Sequence, residues 1–273
     1  MRSYLGVGRL YAGVGRRNFR RYSGYRMATF AGAFTNTIFG CIMAYTYIAL
    51  WSARPQLGGY DVAEAVTYVW IGQALLAPMA MFGGGFQEEL GERIRNGDVA
   101  IDLYRPIDLQ LWWLSADLGR AAFHLLGRGI PPTVAGALLF PHALPGSPMQ
   151  WGAFLVAVAL GLLVSFSLRY LVALCGFWLL DMRGLQTAAG VVAMFMSGML
   201  LPLTVFPTGL AELTQALPWS SVLQVPADVL LGKHEGRDLV LAFVFQAGWA
   251  LVLLLAGRAL TAVATTKVVV QGG

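Results

Sequence analysis

Residues 197–232 read SGMLLPLTVFPTGLAELTQALPWSSVLQVPADVLLG. They lie between two strongly apolar segments and are themselves apolar, yet Pro202, Pro207, Pro218 and Pro226 interrupt them every few positions. Proline in a helix interior removes a backbone hydrogen bond and clashes with the preceding turn, so the pattern does not describe one straight spanning helix. It predicts three short helical pieces: one ending near Pro202, one over 208–217 and one over about 221–231. Asn-Gly or Gly-rich hairpin signals are absent, which argues against strands. A broken apolar segment at a membrane face has to bury its free backbone groups in protein or against a wet cavity. Two readings follow, a gate or an interfacial loop anchored by its aromatic and proline residues.

Composition places this stretch in a membrane. Of the 273 residues, 57% are hydrophobic and 12% charged, and the mean hydropathy is +0.63. Soluble domains carry roughly twice that charged fraction. The formal net charge is +5, with seven arginines between Arg2 and Arg26, ahead of the first long apolar segment. Cytoplasmic flanks of membrane helices are rich in Lys and Arg, so the cluster is explained without a nucleic-acid partner. The only cysteines, Cys41 and Cys175, fall inside apolar segments, and no CxxC or Cys/His cluster marks a metal site. The first apolar segment is long enough to stay as an anchor rather than act as a cleaved leader.

Taken in order, the chain predicts an all-α membrane protein. Residues 1–26 form an amphipathic cytoplasmic or interfacial lead-in, with Tyr4, Leu5, Leu10, Tyr11 and Phe19 among the arginines and a break at Gly13 and Gly15. Residues 27–257 hold a single six-span domain, with spans at about 27–51, 62–86, 118–140, 151–180, 185–201 and 239–256. Tyr45, Tyr47 and Trp51 suggest an aromatic belt at the outer end of the first span. Pro78 should kink the second, which Gly83, Gly84 and Gly85 loosen at its inner end. The polar loop 87–117 is cytoplasmic on parity, with a turn at Asn96-Gly97 and a short interfacial helix starting at Pro106. Pro131-Pro132 should break the third span midway, and a broken outer hairpin covers 202–232. Residues 258–273 form a cytoplasmic tail. Outside the spans, the inner side then carries thirteen Lys and Arg, the outer side only Arg54, Lys233 and Arg237. This places both termini in the cytoplasm.

Few residues offer chemistry. Asp117, Arg120, His124 and Arg128 step by 3, 4 and 4, which puts them on one helical face. Charges facing lipid are costly, so this stripe should face protein or water, as structural ion pairs rather than as a catalytic set. Arg169 lies alone inside the fourth span. No GxxxxGK[ST] sequence is present, and Lys233 and Lys267 are the only lysines, so the chain has no visible means of hydrolysing ATP. Ser197-Gly198 makes a poor serine-hydrolase elbow, and His124, His142 and His234 are dispersed, so neither catalysis nor metal binding is indicated. The broken element occurs once on the sequence pattern, near the carboxyl end, without the paired repeat of many ion-coupled carriers.

Two stretches, ERIRNGDVAIDLYRPIDL at 92–109 and LPLTVFPTGLAELTQALPWSSVLQVPADVLLG at 201–232, together with the span pattern, resemble the permease subunits of ABC-2 type exporters. The likeness extends over nearly the whole chain and is closest to the bacterial viologen or multidrug exporter branch. The resemblance implies a bacterial plasma-membrane permease that exports an amphipathic or lipid-like molecule. Its partners would be two copies of a cytoplasmic ABC ATPase, a second permease (identical or, as often in that branch, unlike) and membrane lipids. ATP and Mg would be bound by the ATPase, with no cofactor on this chain. The loop 87–117 would supply the coupling helix, with Glu88, Glu89, Glu92, Arg93, Arg95, Arg105 and Pro106 as candidate contacts. The outer hairpin would form a gate, with Pro202, Phe206, Pro207, Pro218, Trp219 and Pro226 as candidates. Met194, Phe195, Met196 and Met199 would line the path or pack against neighbouring helices. A non-transporting scaffold or immunity protein and an ion-coupled carrier are the alternatives.

Overall fold

A computed structural model describes residues 2–266 apart from Leu180, without the side chains of residues 2–6 and 265. The expected tail beyond residue 266, with Lys267, and the side chains of Tyr4 and Leu5 lie outside the described residues. All regular elements among the described residues are helical. They are α1 (Arg2–Ser23), α2 (Arg26–Ala53), α3 (Val62–Leu76), α4 (Phe86–Arg95), α5 (Val99–Tyr104), α6 (Leu109–His124) and α7 (Ile130–Leu139). The second half of the chain adds α8 (Pro148–Leu174), α9 (Arg183–Met196), α10 (Thr208–Ala216), α11 (Gln224–Leu230) and α12 (Gly236–Thr265).

Three helices are long and apolar enough to cross a membrane: α2, α8 with its terminal 3-10 turn (Pro148–Phe177), and α12 over Gly236–Ala264. The shorter α3 is also apolar. Helix α8 is central, with α12, α11, α6 and α4 against it, while α2 packs on α3 and α7. The main core gathers Trp51, Tyr60, Tyr68, Leu75 and Met79 with Val158, Val164, Leu223 and Leu230. A second core, nearer α4, holds Phe86, Leu90 and Trp113 against Phe166 and Tyr170. Local sequence explains the starts. Asp61 and Glu64 form a reciprocal capping box at α3, and Ser147 ahead of Pro148 caps α8.

Several boundaries depart from the sequence expectations. Helix α1 runs unbroken through Gly13 and Gly15, and Gly15 serves to let two backbones meet rather than to end the helix. A methyl group built on Gly119 of α6 would overlap the Gly15 carbonyl. The second span was expected to 86, but α3 ends at Leu76 and the chain from 77 to 85 is not helical. The interfacial helix expected at Pro106 does not exist as a separate piece. Asp108 caps α6 by accepting from the Leu111 amide, and the helix runs directly on into the third apolar segment.

Pro131-Pro132 does not break that segment. A π turn over Leu125–Gly129 precedes it, and the prolines sit in the first turn of α7, where the missing N–H groups cost least. Helix α8 stops at Leu174, short of the expected 180, and α9 spans Arg183–Met196 rather than 185–201. Helix α12 continues to Thr265, so Arg258 lies in the helix and not in a tail. Nor do Tyr47 and Trp51 form an interfacial belt: they stack at 4.9 Å inside the core, and of the expected trio only Tyr45 is exposed.

The glycine crossing between α1 and α6 yields a test. Gly119→Ala should cost about 1–3 kcal/mol through overpacking against backbone that cannot yield, seen as a lowered Tm in detergent. Gly8→Ala, also inside α1 but with open space around it, should leave Tm unchanged or raise it slightly through the better helix propensity of alanine.

Candidate functional site

Where α3 stops, Pro78 and the positive φ values of Ala80, Gly83, Gly84 and Gly85 hold the chain open. The carbonyls freed by this break lie in apolar surroundings and require donors. Arg120 supplies two, from Nη1 to the Ala77 carbonyl at 2.8 Å and from Nη2 to the Pro78 carbonyl at 2.7 Å. Ser165 Oγ of α8 donates to the Met79 carbonyl at 2.6 Å. Gly85 is obligatory here, since a side chain at its φ of +71° would also press on the Arg120 stem.

Arg120 is held in turn by Asp117, Nε to Oδ1 at 2.7 Å, and the other oxygen of Asp117 accepts from Arg169 Nη2 at 2.5 Å. All three side chains are buried. Arg169 also lies 4.9 Å over the Phe86 ring, a cation–π contact. The expected stripe therefore divides. Asp117 and Arg120 form the anticipated ion pair, facing the break. The π turn ends the common face at His124, which packs edge-on to Tyr22 of α1, while Arg128 lies against Gly32 of α2. The sequence missed Arg169 as the third member, although a lone arginine in an apolar span signals a buried partner.

The polar loop folds as α4 and α5 around the Asn96-Gly97 turn, Gly97 having a φ of +80°. The candidate coupling residues separate into two groups. Glu88, Glu92 and Arg95 line a polar cleft of about 300 Å³, facing Asp181 and Arg183 of the α8–α9 turn. Arg93 and Arg105 both turn to Asp102, at 2.5 and 3.6 Å, and tie α4 to α5. Glu89 pairs with Arg21 of α1 at 2.9 Å, and this bond pushes the Arg21 guanidinium up from its ordinary value. Pro106 follows Arg105 in the extended link to α6 and lines neither group.

Two of the three pieces expected in 197–232 form, α10 over Thr208–Ala216 and α11 over Gln224–Leu230, but no helix ends near Pro202: α9 stops at Met196 and residues 197–202 are non-helical. A polar network that the sequence did not suggest fastens it. Gln224 Oε1 accepts from the Tyr68 hydroxyl at 3.0 Å and from the Leu203 amide at 2.8 Å. Gln224 Nε2 donates to the Tyr60 hydroxyl and to Asp228 Oδ2 at 2.7 and 2.8 Å, and the Tyr60 hydroxyl donates to Asp228 Oδ1. Their i, i+4 spacing in α11 was the available signal. From α12, Gln246 donates to the Ser221 carbonyl at 3.0 Å. Of the candidate gate residues, Pro202, Pro218 and Pro226 are buried within the subunit and Phe206 and Trp219 half-buried. Pro207 is exposed, and Phe206 packs against Phe195 of α9.

A helical protein with apolar spanning helices, a polar cleft at one end and a welded proline-broken hairpin has the build of a membrane transport component. The sequence matches the ABC-2 family transporter proteins over residues 36–272. The chain belongs to that family, as a permease that works with an ABC ATPase. Comparison with curated proteins gives no match.

Removing one charge from the buried triad should expose its asymmetry. Asp117→Asn leaves two buried arginines without a counter-charge and should cost about 3–5 kcal/mol. Arg169→Met leaves the Asp117–Arg120 pair in place and should cost less than half as much, by thermal unfolding in detergent. Equal losses would contradict the arrangement. In the Gln224–Asp228 network, Tyr60→Phe strips Asp228 of a buried donor and should cost about 1–3 kcal/mol by the same assay.

Proposed function

We propose that this chain is one of two permeases in an ATP-driven ABC-2 exporter of the bacterial plasma membrane, moving an amphipathic or lipid-like molecule outward. Its six spans are α2, α3, α6 with α7, α8, α9 and α12, with both termini cytoplasmic. Helices α3 and α9 rise only about 21–23 Å at 1.5 Å per residue, short of a hydrocarbon core of roughly 30 Å. The non-helical chain that follows each completes its crossing, and internal donors make that tolerable.

The observation that carries the reading, beside family membership, is the polar cleft between α4 and the α8–α9 turn. Glu88, Glu92 and Arg95 offer charges that no buried partner consumes, on an element fastened to the rest of the chain through Phe86, Leu90 and Ile94. In this reading one of two ATPase copies docks there and binds ATP and Mg. Its closure on ATP pushes α4, and the pair of permeases rocks to open a path at their interface. Lipid fills the remaining perimeter. The outer hairpin serves as the gate through the surface around Pro207 and Phe206, its buried prolines fixing its shape.

The test is copurification and ATPase activity of the tagged chain with a candidate ABC ATPase from the same genome. Glu92→Ala and Arg95→Ala together should lower activity about tenfold or more while the chain stays folded, since both side chains are solvent-facing. A chain that purifies alone, with no bound ATPase, would sink the exporter reading and favour a scaffold or an ion-coupled carrier.

A further inference from the structure

A second cavity lies between the chain at 79–83, α4, α8, α9 and the turn before α11. Its polar wall is Arg169, Gln87, Gln186 and Ser165; its apolar wall includes Met79, Met81, Leu168, Val172, Trp219 and Val222. Its volume is about 90 Å³, several times what one water needs.

Two observations point to a ligand of definite charge. Arg120 and Arg169 share the single carboxylate of Asp117, and among the described residues no other acidic side chain pairs with either. One positive charge is thus buried without a counter-charge, at a depth where that is expensive. Arg120 is consumed by the two carbonyls and Asp117, whereas Arg169 lines the cavity and, beyond its short bond to Asp117, holds Asp117 Oδ1 and Ser165 Oγ only at 3.4 Å, so it is the arginine placed to meet a ligand there. Independently, Gln87 lines the same cavity at 3% exposure, and its side-chain amide makes no hydrogen bond among the described residues. Its amide faces the cavity, so two N–H donors are available there to an acceptor.

We propose that this cavity binds the singly charged anionic head of an amphipathic molecule, a carboxylate or phosphodiester. Arg169 and the Gln87 amide are its ligands, and the apolar wall, with Met79 and Met81, takes the first carbons of its chain. Methionine suits an irregular chain because its thioether stem adapts to shape. The remainder of the chain leaves past α9, which contributes no buried residue to the fold and can give way. The inference deepens the transport reading by naming the charge of the lipid-like molecule, yet the site stands as a binding site whether or not the chain exports.

The experiment is equilibrium binding of radiolabelled dodecanoate and dodecanol to the purified full-length chain in non-ionic detergent, without the ATPase. Dodecanoate should bind saturably and about tenfold more tightly than dodecanol, the worth of a charge-assisted hydrogen bond. Arg169→Met should abolish the preference. Gln87→Leu, which leaves the ion pairs intact, should weaken dodecanoate severalfold and leave dodecanol unchanged. Equal binding of the two probes by the wild-type chain, or a preference that survives both substitutions, would overturn the site. Because no ATPase is present, a negative result leaves the exporter reading standing, and failure to copurify an ATPase leaves the site standing. Stimulation of ATP hydrolysis by dodecanoate in the assembled complex would mark the ligand as cargo. Binding without stimulation would mark it as a resident lipid, and either keeps the head-group site.

Discussion

Two breaks in the helical backbone, in apolar surroundings, set a requirement that the rest of the structure meets: every carbonyl and amide they free needs a partner from another element. After α3 the carbonyls of residues 77 and 78 go to Arg120 and that of residue 79 to Ser165. Before α11 the Leu203 amide goes to Gln224 and the Ser221 carbonyl to Gln246. These partners come from α6, α8, α11 and α12, so satisfying the breaks also fixes how those helices pack. The two breaks converge on Gly161 of α8, where a side chain would strike both the Ser221 carbonyl and the Met79 side chain. A small residue at that crossing lets both broken chains reach the centre of the molecule.

How much of this the sequence discloses depends on the range of the interaction. The proline spacing in 197–232 names α10 nearly to the residue and α11 to within three, because proline acts on its own turn. The long apolar runs locate α2, α8 and α12 for the same local reason, and the polar loop is evident from composition. The first break is illegible by comparison. Pro78 and the glycine run suggested only a kink, since complete unwinding becomes tolerable only when Arg120 arrives from forty residues away to take the carbonyls.

The site follows the same rule. Asp117 and Arg120 share a helix, so their pairing could be read from spacing. Arg169 lies in another helix, and nothing in its neighbourhood names Asp117 as its partner. Tyr47 and Trp51 show the converse failure: a pattern that fits an interfacial belt is equally satisfied by a packed core, and composition cannot choose. The division of the charged residues of α4 between internal pairs and an open cleft was likewise invisible, because it depends on where α5 and the α8–α9 turn come to lie.

The π turn between α6 and α7 has a consequence for how the two halves of that segment can diverge. One extra residue per turn shifts the angular phase of everything beyond it. Helix α6 is oriented by the need to aim Arg120 at the first break, whereas α7 is oriented by Gly136, against which the Trp70 indole lies too closely for any side chain. In an uninterrupted helix these two demands would share one phase, and a substitution that rotated either would spoil both. The additional residue acts as a phase adjuster: each half keeps its own azimuth, and its lining can be rewritten without retuning the other.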